Sequence, residues 1–553
     1  MRPTKNPPAP SSSEIPEGFM QALADQILNL FSSRKNEQER LRAKWGARGD
    51  NDGWSASRYF DLVREEMTQS FVDDKTWDDL EFPKLFSDID STETEVGGQV
   101  LYRKLREYVA DKLALEMQYS VYDALGSDPL LREDIQGRLA PLRASSCADI
   151  ADFVFGQPPK RPKYHALITA WSLLSIASLI GVTVGLVPAV IWIGVFLVNV
   201  GIILFGFTSM SRDMETFKHC HTLLRVADSL ASISDTKLSV PQLKRLVEGA
   251  SQRTVAKRAI QLSFFQGDDL IQSLYAWLNM FFLLEQVAYF RTINRFLDVR
   301  PELASAFELV GSLDADVAIS SYLALHPNHC KPDIVERRLI DIDSGYHPLI
   351  EDPVTNSIRL DERSALITGS NMAGKTTFIK MVGINLIFGR TVGFCFANDA
   401  VIPSSKVMGT IRSEQSVESG KSHYFTQVEA IHSFIESARI GDCTVFVIDE
   451  LFSGTNTVER LAASRAVLES ISQYAQVLVT THDIELQKML ADRYNLYHFR
   501  ENPDIEGFFD YQLRSGSTRS RNAIRMLKRL GFPEDVVTSA MGYVSGHSER
   551  GED

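Results

Sequence analysis

The residues with most chemical content run from Gly369 to Thr377. Gly369-Ser370-Asn371-Met372-Ala373-Gly374-Lys375-Thr376-Thr377 contains the pattern G-x-x-x-x-G-K-T, after the apolar run Ala365-Leu366-Ile367 and at the start of a helical pattern. Strand, glycine-rich loop and helix in that order make a phosphate-binding loop. The glycines let backbone N–H groups curl around phosphate oxygens, and the helix N-terminus adds the positive end of its dipole. Lys375 is expected to reach the β- and γ-phosphates, and Thr376 to ligate Mg2+. Further on, Thr444-Val445-Phe446-Val447-Ile448 reads as a buried strand ending in Asp449-Glu450. A carboxylate at a strand end beside the loop holds hydrated Mg2+, the part expected of Asp449. The next one, Glu450, orients or deprotonates water. A third strand, Val477-Leu478-Val479-Thr480-Thr481, leads to His482, placed to sense or to polarise a γ-phosphate. Between the first two elements, Ser419-Gly420-Lys421-Ser422 reads either as an ordinary polar loop or as a turn offering backbone donors to that phosphate. The set predicts Mg-dependent nucleotide hydrolysis by in-line attack of water, with Lys375 and the metal stabilising charge.

These groups sit at strand ends, so a parallel sheet must gather them. The strand-like runs ALIT, TVFVI and QVLVTT alternate with helical patterns, which predicts an α/β domain over 331–553. Upstream the texture is helical. Apolar residues recur at three- and four-residue spacing in FMQALADQILNLF, within an expected helical region 17–160, and in HTLLRVADSLASI and QLKRLVEGA, within a second helical region 213–330. Residues 1–16, rich in Pro and Ser, read as a flexible tail.

The two helical regions are interrupted by 48 residues, Tyr164 to Ser211, without one Asp, Glu, Lys or Arg. As helix this is about 72 Å, roughly twice a 30 Å hydrocarbon core. Gly185 and Pro188 punctuate the middle, so the expectation is a transmembrane hairpin over 164–211 with spans at about 167–185 and 189–207. Lys160, Arg161 and Lys163 before it, and Arg212 after it, put both flanks on the cytoplasmic side. The competing reading is a helical hairpin buried in a large soluble core. A second apolar run, Leu270 to Leu284, has 15 residues, too few for a span, and reads as a core or interface helix. The formal charge of −13 over 553 residues excludes a basic surface covering the whole protein. A local run from Arg514 to Arg529, with six cations and no carboxylate, fits phosphates, lipid headgroups, an acidic partner or simply a solvated helix face. Five dispersed cysteines without a C-x-x-C pair fit a reducing compartment and argue against a disulfide framework or zinc ribbon.

The phosphate loop, the Ser-Gly turn, the Asp-Glu strand and the His strand, in this order, resemble the ATPase domain of the MutS family within the ABC ATPase superfamily. TGSNMAGKTT is similar to the family's TGPNMGGKST-type loop, SGKSHYF to its SGRSTF loop, VIDELFSGTNTVER to its MDEIGRGTS segment and LVTTHDIEL to its ATHYFEL. GYHPLIE, YQLRSGST and RLGFPEDVV extend the likeness over about 340–545, and Leu85–Glu107 resembles the opening of the family's core, where a T-x-x-G-x-x-x-L pattern starts long lever helices. The resemblance implies an ABC-type P-loop ATPase domain after an all-α core and lever region, here interrupted by the hairpin, with ATP and Mg2+ as its ligands. It implies a homodimer through the ATPase domains. Ser419, Gly420 and Ser422 of one subunit would then face the other's nucleotide, Asn371 would lie near the attacking water, and Thr455 and Asn456 would lie in a turn linking the two sites. Departures from the family are visible. Gln427 stands where the family has Glu, and Ser453 where it has Arg. No Phe-x-Glu wedge for a mispaired base precedes Leu85. The expected target is therefore DNA, or a protein partner near the membrane. The alternative is a nucleotide-regulated membrane scaffold or transport-associated ATPase that does not bind DNA.

Overall fold

A computed structural model describes residues 35–49, 56–67, 70–143, 148–159, 163–205, 208–233, 240–261, 269–411, 423–441, 445–452, 455–500, 509–517 and 531–548. The helical part contains α1 (Ser57–Val63), α2 (Asp74–Asp79), α3 (Phe82–Ile89), α4 (Glu95–Arg106), α5 (Lys112–Ser127), α6 (Pro129–Arg143) and α7 (Ala148–Phe155). After these come α8 (His165–Thr183), α9 (Ala189–Phe205), α10 (Thr208–Ala231), α11 (Pro241–Glu248), α12 (Ala250–Gln261), α13 (Asp269–Phe282) and α14 (Leu284–Leu325).

The T-x-x-G segment starts α4, and its polar residues explain why. Thr94 Oγ1 accepts from Gly97 N at 3.0 Å, an N-cap. The buried carboxylate of Asp314, on α14, accepts from Glu93 N at 2.9 Å, Thr94 N at 2.8 Å and Thr94 Oγ1 at 2.7 Å. Where α4 crosses α14 there is no room for side chains. A Cβ on Gly97 would lie 2.2 Å from Asp314 Oδ2, and one on Gly311 would lie 2.5 Å from Val100 Cγ2. The long helix is not the one the sequence pattern points to. α4 has 12 residues and stops because the chain turns onto the α/β domain, with Val109 N donating to Arg390 O at 2.9 Å. The lever-like element is α14, with 42 residues and a length of about 63 Å.

α8 and α9 form a hairpin closed by a tight turn, in which Leu186 N donates to Gly181 O at 2.8 Å and Gly185 adopts φ 79°. The helices run 165–183 and 189–205: the first lies two residues earlier than the expected span at both ends, and the second starts where expected and ends two residues sooner. Of the described helices, α8 alone is long and apolar enough to cross a membrane; α9, with 17 residues, falls short. The hairpin is not buried in a soluble core. Leu173, Leu174, Leu186, Ile191 and Leu197 are exposed, while Ser172, Ser175, Ser178 and Asn199 are buried.

The α/β domain holds two sheets. β1 (Asp333–Val335), β5 (Asp399–Pro403), β2 (Leu339–Gly345) and β3 (Asn356–Asp361) form one, in the order β1-β5-β2-β3. The other runs β10 (Arg514–Ser515), β9 (Tyr494–His498), β4 (Ser364–Thr368), β8 (Gln476–Thr481), β7 (Val445–Asp449), β6 (Val407–Thr410), parallel except for β10 against β9. β4, β7 and β8 are buried on both faces, which is why they read as unbroken apolar runs. Ala365, Ile367, Val445, Val447 and Leu478 face α15 (Lys375–Thr391). Leu366, Phe446, Ile448, Val477 and Val479 face α16 (His423–Ile440), α17 (Thr457–Ile471) and α18 (Ile484–Leu490). A last helix, α19, spans Glu534–Ser548.

Residue 331 is not a packing boundary. Trp77, Leu80, Phe82, Leu85 and Phe86 share one core with Ile340, Ile379 and Phe388. α2 lies along the outer edge of β6, where Thr76 Oγ1 accepts from Gly409 N at 2.8 Å and Asp79 Oδ2 from Ile411 N at 2.8 Å.

Candidate nucleotide site

The parallel register sets the site. Thr368 pairs with Thr481 and with His498, and Asp449 pairs with Thr480, so β4, β7, β8 and β9 end along one rim. Ligands of open α/β sheets bind beyond the carboxyl ends of such strands. The loop from β4 to α15 leaves the strand at Gly369, with φ 141°, and enters the helix at Gly374, with φ 96°. Neither position admits a side chain. A Cβ at Gly369 would lie 2.8 Å from Phe499 O, and one at Gly374 would lie 3.1 Å from Tyr511 Cδ1. Ser370 precedes a short turn of 3-10 helix, Asn371–Ala373.

Lys375 is the first residue of α15, and 1% of it is exposed. Its Nζ donates to Gly369 O at 2.6 Å, so the ammonium is folded back over the loop. Burial lowers its pKa, and the charges of Glu450 and Asp449 oppose that shift. Thr376 Oγ1 donates to Asp449 Oδ2 at 3.0 Å, and the hydroxyl of Thr480 donates to Asp449 Oδ1. A hydroxyl and a carboxylate converging beside a phosphate loop fit Mg2+, which takes one or two protein oxygens and completes its octahedron with water and phosphate. Thr376 and Asp449 are the residues that would hold it. Thr377 lies one residue further into α15.

Glu450 follows β7 in a left-handed conformation, φ 50°, and Phe452 repeats it at φ 55°. Two features hold this turn. Glu450 N donates to Thr480 O at 3.2 Å, and the Gln427 amide bridges the turn from α16. Its Nε2 donates to Glu450 O at 2.8 Å and its Oε1 accepts from Phe452 N at 2.8 Å. His482 Nδ1 lies 3.5 Å from Glu450 Oε1. The hydrogen bond to Glu450 raises the imidazole pKa against the burial that lowers it. Asp483, next to it, takes a two-pronged contact from Arg460 of α17, at 3.0 and 2.8 Å. α17 is capped by Asn456, whose Oδ1 accepts from Glu459 N at 3.0 Å, and Thr455 Oγ1 donates to Glu459 Oε2 at 3.1 Å.

Lys375, Thr376, Asp449, Glu450 and His482 thus meet at one rim with the loop 369–374. Ser419, Gly420 and Ser422 lie outside the described residues, as do Ser453, 518–530 and the side chain of Asn371. Sequence reasoning missed Thr480, Arg460 and Asp483. It noted Gln427 only as a departure from a pattern. It also missed a cavity of about 340 Å³ beside the loop, lined by Met372, Gly374, Thr377, His347, Phe499 and Tyr511. Burial pushes the His347 imidazole down to about 4, so it is neutral there at neutral pH. An apolar and aromatic cavity adjoining a phosphate loop suits a flat heterocycle.

A parallel sheet with a glycine-rich loop, a buried lysine and a threonine–aspartate pair at its carboxyl rim defines a P-loop type of α/β domain. Residues 365–546 match the family described as MutS domain V. The chain is 30% identical over 244 residues to the DNA mismatch repair protein MutS of Aquifex pyrophilus, covering 42% of this chain and 28% of that protein. It is 30% identical over 245 residues to Endonuclease MutS2 of Thermus thermophilus, covering 43% and 32%. To the DNA mismatch repair protein MutS of Leptospira interrogans it is 24% identical over 314 residues, covering 54% and 36%. The match spans about a third of the length of these relatives. The likeness to the MutS family is carried by this domain.

Proposed function

We propose that this chain is a membrane-anchored, MutS-like ATPase that binds Mg-ATP at 369–377 and hydrolyses it, working as a homodimer that closes on ATP. The observation that carries the reading is the Lys375, Thr376, Asp449 and Glu450 constellation at the sheet rim. Mg2+, when bound, neutralises phosphate charge. Lys375, already desolvated, places its ammonium where charge grows on the γ-phosphoryl oxygens. Thr480 fixes the rotamer of Asp449. Glu450, held by Gln427 and Thr480 and paired with His482, takes up the proton of the attacking water. The cavity beside Thr377 seats the adenine. The signature turn of the partner subunit, Ser419, Gly420 and Ser422, completes the site in trans.

The hairpin α8–α9 moors the chain to the bilayer, with the flanking parts in the cytoplasm. Its polarity supports this, since hydroxyls and an amide are inside and leucines outside. The dimer acts on DNA or on a protein partner. The net charge of −13 favours the second, and with it the reading as a nucleotide-regulated scaffold or transport-associated ATPase. Binding of duplex DNA that falls steeply with salt would favour the first.

Lys375→Ala should abolish nucleotide binding. Glu450→Gln should keep binding and lose turnover by about 10²-fold or more, the usual weight of a general base. Equilibrium binding of a fluorescent ATP analogue, with phosphate release measured in parallel, checks both. Wild-type turnover in Glu450→Gln would refute its role.

A further inference from the structure

We propose that α13 is a third membrane-embedded element, a re-entrant helix that dips into one leaflet beside the hairpin and presents Leu274, Trp277 and Leu278 to lipid acyl chains. The inference rests on the reading of α8–α9 as a bilayer hairpin and extends it to a segment too short to span. With 14 residues, α13 is about 21 Å long, against about 30 Å of hydrocarbon. A core helix would hide its large side chains. Leu274 is 60% exposed and Trp277 57%, while the amide of Asn279 is buried.

α13 packs on both hairpin helices. The Phe281 ring stacks on Trp192 at 5.3 Å and lies 5.2 Å from Phe196, both on α9. The helix ends where Leu283 turns left-handed, φ 52°, before α14 begins. That break releases the last carbonyls of α13, and hairpin side chains take them up. Asn199 Nδ2 donates to Phe281 O at 2.6 Å, and Ser172 Oγ donates to Phe282 O at 2.5 Å. On the other side of the break, Glu285 N donates to Asn279 Oδ1 at 2.9 Å. The hydrogen bonds of the break are thus made within the protein, as lipid demands of irregular backbone.

Two counts give the depth of its C-terminal end. Ser172 lies about 10 Å along α8 from His165, and Asn199 about 9 Å along α9 from Phe205, both from the flank that carries the cations. α14 then climbs back past the hairpin's end, where Phe290 lies 6.2 Å from the His165 ring. The sequence supplies the matching chemistry, with no charge between Asp269 and Glu285.

The test places p-benzoylphenylalanine at position 274 or 278 of the full-length protein in phosphatidylcholine–phosphatidylglycerol vesicles. Positions 173 and 197 report the hairpin, and the exposed Ile440 position is the aqueous control. All these side chains point outward, so the fold is undisturbed. After illumination, mass spectrometry should find lipid adducts at 274 and 278 as at 173 and 197, and none at 440. Adducts at 173 and 197 with none at 274 and 278 would overturn the re-entrant helix and leave the hairpin reading intact. Absence at all four would overturn both. Protein–protein crosslinks at 274 or 278 in place of lipid adducts would assign the face to a second copy and overturn the proposal.

Discussion

Glu450 and Phe452 both hold positive φ, a conformation that costs a residue with a Cβ on the order of 1–3 kcal/mol. The Gln427 amide is matched to that turn because it donates at one end and accepts at the other. A carboxylate accepts at both ends. Gln427→Glu, the residue found in the family pattern, should therefore leave the Glu450 carbonyl without its donor and place a second negative charge beside the first. The expected outcome is a loss of about 1–3 kcal/mol in stability, with slower hydrolysis and unchanged ATP affinity. Chemical denaturation together with single-turnover kinetics checks it. Gln427→Leu, lacking both functions but adding no charge, separates the polar bridge from the electrostatic cost.

At the scale of elements, the crossing of α4 and α14 has the least tolerance. Gly97→Ala would drive a methyl group into the Asp314 carboxylate, which holds the first turn of α4. Overpacking of this kind costs about 1–3 kcal/mol, and circular-dichroism melting should show a lowered midpoint. What the sequence made legible here followed from periodicity. β4, β7 and β8 carry unbroken apolar runs, and the loop between β4 and α15 has a spacing tied to one geometry, so strands, loop and Asp449-Glu450 were all readable. Contacts between distant segments were not. Asp314 meets Thr94 across 220 residues, and nothing local in FELVGSLDAD announces a cap. The same holds for Tyr511 and His347 in the cavity, where two unremarkable residues become neighbours only through the sheet. The length of α14 was hidden for another reason. Its apolar residues face several partners in turn, so no single stripe marks it as one helix. α13 looked like a core segment because apolar content does not say whether protein or lipid surrounds it.

For the whole molecule, the arrangement of polarity in α8 and α9 makes a sharp prediction. Leu197 is exposed, so Leu197→Asp should be harmless in a water-soluble protein. In a bilayer an Asp near the middle of a span costs about 2.5–3.5 kcal/mol. The wild-type chain should stay in the membrane pellet through alkaline carbonate extraction, and Leu197→Asp should move into the supernatant. Release of the wild-type chain would count against the anchor.

The clasp of α2 on β6 bears on how this polypeptide can be dissected. Thr76 and Asp79 occupy the amide groups that a bare outer strand would offer to a stranger. A fragment begun at residue 331 would discard that guard, and its raw margin would be a template for strand addition between molecules. The α/β half is thus chaperoned by its own leading segment, and any soluble excerpt of this protein has to carry the stretch around residue 76 along with it.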